Sequence, residues 1–151
     1  MSFSSRRMRD SDWDSIRFFS PTEFKNPGAM GWEFLLWLDR VHAKASSLAP
    51  RTSAFHMVVS SSHRDPAYNA RIGGARKSSH VDIPCDAVDI GGVYERYRDD
   101  MNWNKHRLKI QKAALMLGCM RVGIYPNGSL HLDRTEDRRP SGLWVRVNGH
   151  P

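Results

Sequence analysis

Residues 78–90 read "SSHVDIPCDAVDI", one histidine followed by three acids, and the segment ends in an alternating run typical of a β-strand. Asp82, Asp86 and Asp89 are the acids, and His80 stands just upstream of them. A carboxylate in a strand that enters a core is costly unless it is paired or bound to a metal. Either this strand lies at an edge or its acids have a chemical task. "CDAVDIG" (85–91) is taken as a strand, and the reading of the fold extends from it in both directions.

Upstream, "AFHMVVSSS" (54–62) is a second short strand rich in β-forming residues. Between the two strands, "HRDPAYNARIGGARKSS" shows little apolar periodicity, and a long connection of that kind in a small domain is often functional. Phe34, Leu35, Leu38, Val41 and Ala45 recur at helical spacing and predict a helix from Gly31 to about Ser47, ended by Pro50. Downstream, residues 93–117 read as helix, with Leu108, Ile110, Ala114, Leu115 and Leu117 as its apolar face and Gly118 as its cap. "MRVGIY" (120–125) and "LHLD" (130–133) form a hairpin about Asn127-Gly128, and "LWVRV" (143–147) is one further strand. Helix, strand, loop, strand, helix and hairpin in that order predict an α+β fold with a small, mainly antiparallel sheet flanked by helices.

The chain of 151 residues is sized for one domain, read as 18–151, after a polar and loosely ordered segment 1–17. No apolar run approaches a membrane span, and the N-terminus lacks the apolar core of a signal peptide. A cytoplasmic protein is expected, acting outside only once released. Two cysteines, Cys85 and Cys119, are too few for a disulfide framework and read as buried thiols. A net charge of +7 draws the chain to polyanions. Its basic residues are scattered, with no nucleic-acid-binding signature, so nucleic acid is not the expected partner.

Of the seven histidines, His42, His106 and His150 read as ordinary polar residues, and His56 as the outward side of a strand. His80 and His131 differ from these. If the strands carrying Asp89 and His131 are neighbours, His80, Asp89 and His131 converge on one sheet face. Two histidines, a carboxylate and a fourth position for water make a catalytic zinc shell.

Beyond this spacing, "VVSSSHRDPAYNARIGGARKSSHVDIPCDAVDI" resembles the zinc D-Ala-D-Ala carboxypeptidase and murein endopeptidase family, the M15-like peptidases that include many phage endolysins. The resemblance rests on Ser62-His63-Arg64, Pro66, Asn69, Gly73-Gly74, Ser78, His80, Ala87 and Asp89. "VGIYPNGSLHLD" (122–133) is similar to the family's later segment, and "FFSPTEF" to its first one, so the likeness spans roughly Phe18 to Trp144. It implies a hedgehog/D-Ala-D-Ala-peptidase-like fold, Zn2+ as cofactor, and His80, Asp89 and His131 as its ligands. Arg64 would stabilise an oxyanion or anchor a substrate carboxylate, and Ser78 would bind the substrate peptide. Tyr68 and Asn69 would shape the loop, with Gly73-Gly74 as a turn. The partner would be bacterial peptidoglycan, cut in its stem peptide or crosslink by a monomeric enzyme.

The chain departs from the family pattern in two places. His80 and Asp89 lie further apart than is usual, with "VDIPC" between them; Asp86 is the rival ligand, but alternation turns it away from Asp89. The positions that supply a general base in relatives are Gly128 and Ser129 here. Asp133 is the nearest carboxylate, as base or as the partner of a ligand histidine, and Glu136 and Asp137 are further candidates. A catalytically silent zinc domain of the same fold is the alternative reading. A basic nucleic-acid-binding protein and a cysteine hydrolase are more distant ones.

Overall fold

The computed structural model describes residues 6–48, 56–91, 101–119, 121–135 and 142–145. Helix α1 spans Trp32–Leu48, α2 spans Pro66–Arg71 and α3 spans Met101–Met116. Strands β1 (Val59–Ser61), β2 (Ala87–Ile90), β3 (Arg121–Ile124), β4 (Leu130–Asp133) and β5 (Gly142–Val145) form one sheet in the order β1-β2-β4-β3-β5. All neighbours pair antiparallel except β3 and β5, which run parallel. This is the α+β architecture with a mainly antiparallel sheet that the sequence predicts. No helix among the described residues is long and apolar enough to cross a membrane.

The register gives the sheet two unlike faces. Val88 pairs with Leu132 and Ile90 with Leu130, while Val122 meets Leu132 from the other side. Directly opposed residues share a face, so these side chains form one apolar layer. That layer belongs to the same buried cluster as Phe34, Leu35, Leu38 and Val41 of α1 and Ile110, Ala113 and Ala114 of α3. The opposite face carries Asp89 against His131 and Ala87 against Asp133, with Arg121 also facing Asp133. Trp37 fastens the helical layer by donating its Nε1–H to the Leu117 carbonyl (2.7 Å).

The hairpin forms where it is expected. Gly128 adopts φ 86°, which a side chain would resist, and Tyr125 and Ser129 close the turn through their backbones. Elsewhere the structure corrects the sequence reading. Residues 6–17, expected to be loosely ordered, hold a 3-10 helix at Asp10–Ser15, and Met8 and Ile16 are buried in the core. Backbone hydrogen bonds fasten this segment: Met8 N donates to Met30 O, and Trp32 N to Arg6 O. Asp39 of α1 accepts the N–H groups of Arg17 and Phe18. The long connection after β1 is not wholly irregular, because it contains α2. Asp65 caps this helix by accepting the Tyr68 N–H (2.8 Å), and Pro66 occupies its first turn.

The apolar face assigned to α3 is also revised. Ile110, Ala113 and Ala114 are buried, but Leu108 and Leu115 are exposed. Residues seven apart share one side of a helix, so Leu108 and Leu115 stand together on the side opposite Ile110, Ala113 and Ala114. The strand expected at 54–62 is shortened to Val59–Ser61, with residues 54 and 55 outside the described residues. His56 has turned aside, its Nε2 on Glu23 (2.6 Å) and its Nδ1 against His42 (3.2 Å). His42 is itself buried, and burial pushes its pKa down to about 4.

Candidate metal centre

β2 and β4 deliver two side chains by register, since Asp89 sits directly opposite His131. The loop delivers the third. A 3-10 turn at Ser79–Val81 begins at Ser78, whose Oγ accepts the His80 N–H (3.2 Å). Arg64 N donates to the His80 carbonyl (2.8 Å), and the His80 ring donates from Nδ1 to the Ser62 carbonyl (2.7 Å). His80 is thereby anchored through its backbone at both ends and through its ring.

The three groups meet in a small triangle. His80 Nε2 lies 3.2 Å from His131 Nδ1 and 3.3 Å from Asp89 Oδ1, and the remaining side, His131 Nδ1 to Asp89 Oδ1, is 3.0 Å. All three residues are buried. Their outward bonds decide what these atoms are. The Ser62 carbonyl only accepts, so the His80 ring carries its proton on Nδ1 and a lone pair on Nε2. His131 Nε2 donates to Asp133 Oδ2 at 2.6 Å, which leaves its lone pair on Nδ1. Three acceptors thus point at one another, an arrangement that calls for a cation between them.

The dimensions suit a metal ion. A tetrahedral centre with ligand distances of about 2.0–2.1 Å has edges of about 3.3 Å, close to the observed triangle. Among the described residues, His80, Asp89 and His131 form the group of histidines and acids that can hold a metal ion. The electrostatics agree. Burial works against the Asp89 carboxylate, but the charge and hydrogen bonds that His80 and His131 supply in their protonated forms outweigh it and hold its pKa well below the usual range. Burial likewise opposes charge on His131, yet its bonds to Asp133 and Asp89 raise its pKa. Surroundings that favour a proton at this point favour any cation.

A second layer of contacts fixes the triangle. Asp133 is fully buried; its Oδ2 accepts from His131, from Ser79 Oγ (3.0 Å) and from Arg121 NH1 (3.0 Å), and its Oδ1 from Thr135 N (3.0 Å). The carboxylate therefore sits at the edge of the His131 ring away from the triangle. Arg64 covers the other side. Its Nε donates to Ser61 Oγ (3.0 Å), its NH1 to Asn69 Oδ1 (3.1 Å) and its NH2 to Asp89 Oδ2 (3.0 Å). Asn69 in turn donates to the Ala75 carbonyl (2.9 Å). At Gly74 a Cβ would come within 2.1 Å of Asn69 Oδ1, so the second glycine of the Gly-Gly pair makes room for the residue that holds Arg64.

His80, Asp89 and His131 are thus brought together, with Arg64 and Asp133 in direct contact with them and Ser78 at the cap of the His80 turn. Asp86 is outside the group, and its backbone carbonyl accepts Arg134 N. Glu136, Asp137 and His150 lie outside the described residues. Burial pushes the Cys85 thiol far up and the Cys119 thiol to about 12, so neither ionises near neutrality as a nucleophile must. Sequence reasoning missed Arg121 and Ser79. The first was within reach, because a turn centred on Asn127 sets Arg121 opposite Asp133. The second depends on how the loop folds back and has no local signal. Also unforeseen was the packing of the N-terminal segment on this loop, where Lys25 N donates to Ser62 Oγ (3.1 Å) and Asn26 Nδ2 to His63 Nδ1 (2.9 Å).

Two histidines and an aspartate, brought together by two neighbouring strands and a folded-back loop, thus form a group that could hold a metal ion. Residues 49–133 match the family model described as Peptidase M15, and the chain belongs to that family of peptidases. The matched segment contains all three converging side chains together with Arg64, Ser78 and Asp133. No curated protein and no solved structure matches the chain.

Proposed function

We propose that this peptidase is a zinc enzyme that hydrolyses the stem peptide or crosslink of bacterial peptidoglycan, as a D-Ala-D-Ala carboxypeptidase or murein endopeptidase of the phage or prophage endolysin type. The observation that carries the reading is the triangle of acceptor atoms, with sides of 3.0–3.3 Å, inside a segment that matches a peptidase family. His80 Nε2, Asp89 Oδ1 and His131 Nδ1 are the proposed ligands. Bound there, zinc would supply Lewis acidity towards a peptide carbonyl and lower the pKa of a water molecule.

The remaining roles belong to the protein's own groups. Asp133 holds the His131 proton on Nε2 and so keeps the Nδ1 lone pair aimed at the centre, which makes it a positioning residue. Its accepted bonds from His131, Ser79, Arg121 and Thr135 argue against a free proton acceptor. Arg64 orients Asp89 through Oδ2. Of the five N–H groups of a guanidinium, the bonds to Ser61, Asn69 and Asp89 use three. The others are suited to a substrate carboxylate or a developing oxyanion. The Ser78 Oγ accepts from His80 N, and its O–H is suited to a peptide carbonyl. Glu136 and Asp137, shortly after Asp133 in the chain, are the carboxylates to test as the general base. A monomeric domain over 18–151, onto which residues 6–17 pack, would carry the whole activity. Its charge of +7 would favour adsorption to an anionic wall after release from the cytoplasm.

The test is mass spectrometry of soluble products from purified peptidoglycan incubated with the zinc-loaded protein, beside a His131→Ala control. New peptide fragments absent from the control are expected, and their masses name the bond. An intact wall across several peptidoglycan chemistries, with zinc still bound, would instead identify a silent metal-binding domain. That reading is favoured by one feature, the absence of any titratable group at Gly128 and Ser129.

A further inference from the structure

Helix α3 looks two ways. Ile110, Ala113 and Ala114 are buried, while Leu108, Leu115 and Met116 are 59, 48 and 57% exposed. At 3.6 residues per turn, Lys105, Leu108, Lys109, Lys112, Leu115 and Met116 fall within roughly a third of the helix circumference. Lys105 and Lys112 are exposed, and Lys109 is partly so. No Asp or Glu occurs anywhere in 101–116; the nearest in the chain are Asp99 and Asp100, before the helix begins. Single exposed apolar residues need no explanation. Here three of the five large apolar side chains exposed among the described residues share one arc with three lysines.

We propose that this arc of α3 docks the protein on an anionic phospholipid surface. Leucine and methionine would enter the headgroup layer, while the lysines, whose stems are themselves apolar, set their ammonium groups among the phosphates. The pattern selects this occupant over two others. A polyanion dissolved in water has no use for Leu108, Leu115 and Met116. A second copy of the chain would set lysine against lysine across a shared face. The inference is independent of the metal centre, since none of these residues touches it.

The experiment is co-sedimentation of the full chain with vesicles of phosphatidylcholine, with and without phosphatidylglycerol. Binding to the anionic vesicles alone is expected. Replacing Lys105, Lys109 and Lys112 together by Gln should lower partitioning about 100-fold, from roughly fivefold per lysine at a membrane surface. Leu108→Ser, Leu115→Ser and Met116→Ser combined should lower it roughly tenfold or more, with peptide hydrolysis unchanged. A serine variant that binds anionic vesicles as well as the parent overturns the proposal, as does self-association through this arc without vesicle binding. Insertion is read separately by Met116→Trp, whose emission should be quenched by brominated phosphatidylglycerol beyond the parent's background. No added quenching also overturns it.

Discussion

On β4, Leu130 and Leu132 turn to one side of the sheet and His131 and Asp133 to the other, and all four are buried. The apolar side joins a core shared with α1 and α3, held by contacts that any side chain of similar shape can make. The polar side is closed by the loop that carries Arg64, Ser79 and His80, and there each group depends on a named partner. Burial by itself does not tell the faces apart. What separates them is substitutability: volume is exchangeable on one side, whereas on the other a lost partner leaves a buried polar group or charge unanswered.

The largest expected effect that separates the faces comes from His131→Ala. Peptide hydrolysis should be abolished and bound metal lost, read by turnover of peptidoglycan and by elemental analysis of the dialysed protein. Leu132→Ala, one residue further on, should do the reverse. It should cost about 2–5 kcal/mol of stability in chemical denaturation, with metal stoichiometry unchanged below the unfolding transition. If Leu132→Ala also lost metal in the folded state, the two faces would be coupled and the contrast would fail.

Subtler changes sharpen the polar side. Asp133→Asn keeps the volume but weakens the hold on His131, and should lower metal affinity about 10–100-fold. Competition with a chromophoric chelator measures it. Gly74→Ala drives a Cβ into Asn69 and should destabilise the fold by about 1–3 kcal/mol. Because Asn69 holds Arg64, kcat should fall with the metal retained, and an unchanged kcat would remove Arg64 from the reaction. Smallest is the effect of pH. The pKa of His131 is raised, and the metal takes its deprotonated form, so affinity should be complete above that pKa and fall as pH drops through it, by about tenfold per unit for one displaced proton. Chelator titrations from neutral to acid pH should show that slope, whereas a flat profile would exclude His131 Nδ1 as a ligand.

Much of this was legible in the chain because alternation of period two is local. "LHLD" and "AVDI" state which residues share a face, and Asn127-Gly128 sets the register of the hairpin. That Asp89 and His131 share a face followed from them, whereas His80 comes from the loop. Asp65-Pro66 was an equally local signal for α2, but it was read only as part of a loop. Other features had no local signal. The order of residues 6–17 rests on distant backbone pairing, such as Met8 with Met30. The task of Asp133 depends on which imidazole nitrogen faces it, a matter of three-dimensional arrangement. On α3 apolar residues occur on two arcs, and composition could not say which arc the core would take.

The packing of residues 6–48 bears on how the family segment is held. The segment that matches the family begins at residue 49, after α1. Phe34, Leu35, Trp37 and Leu38, all fully or nearly fully buried, therefore lie outside it, as do the backbone groups of Ala29 and Gly31 that pair with Cys85 beside β2. The stretch that matches the family holds the three proposed ligands, while much of the core that backs the sheet lies upstream of it. A chain begun at residue 49 would keep every proposed ligand but lose the α1 side of the core and the backbone bonds to Cys85, and should be less stable than the full chain.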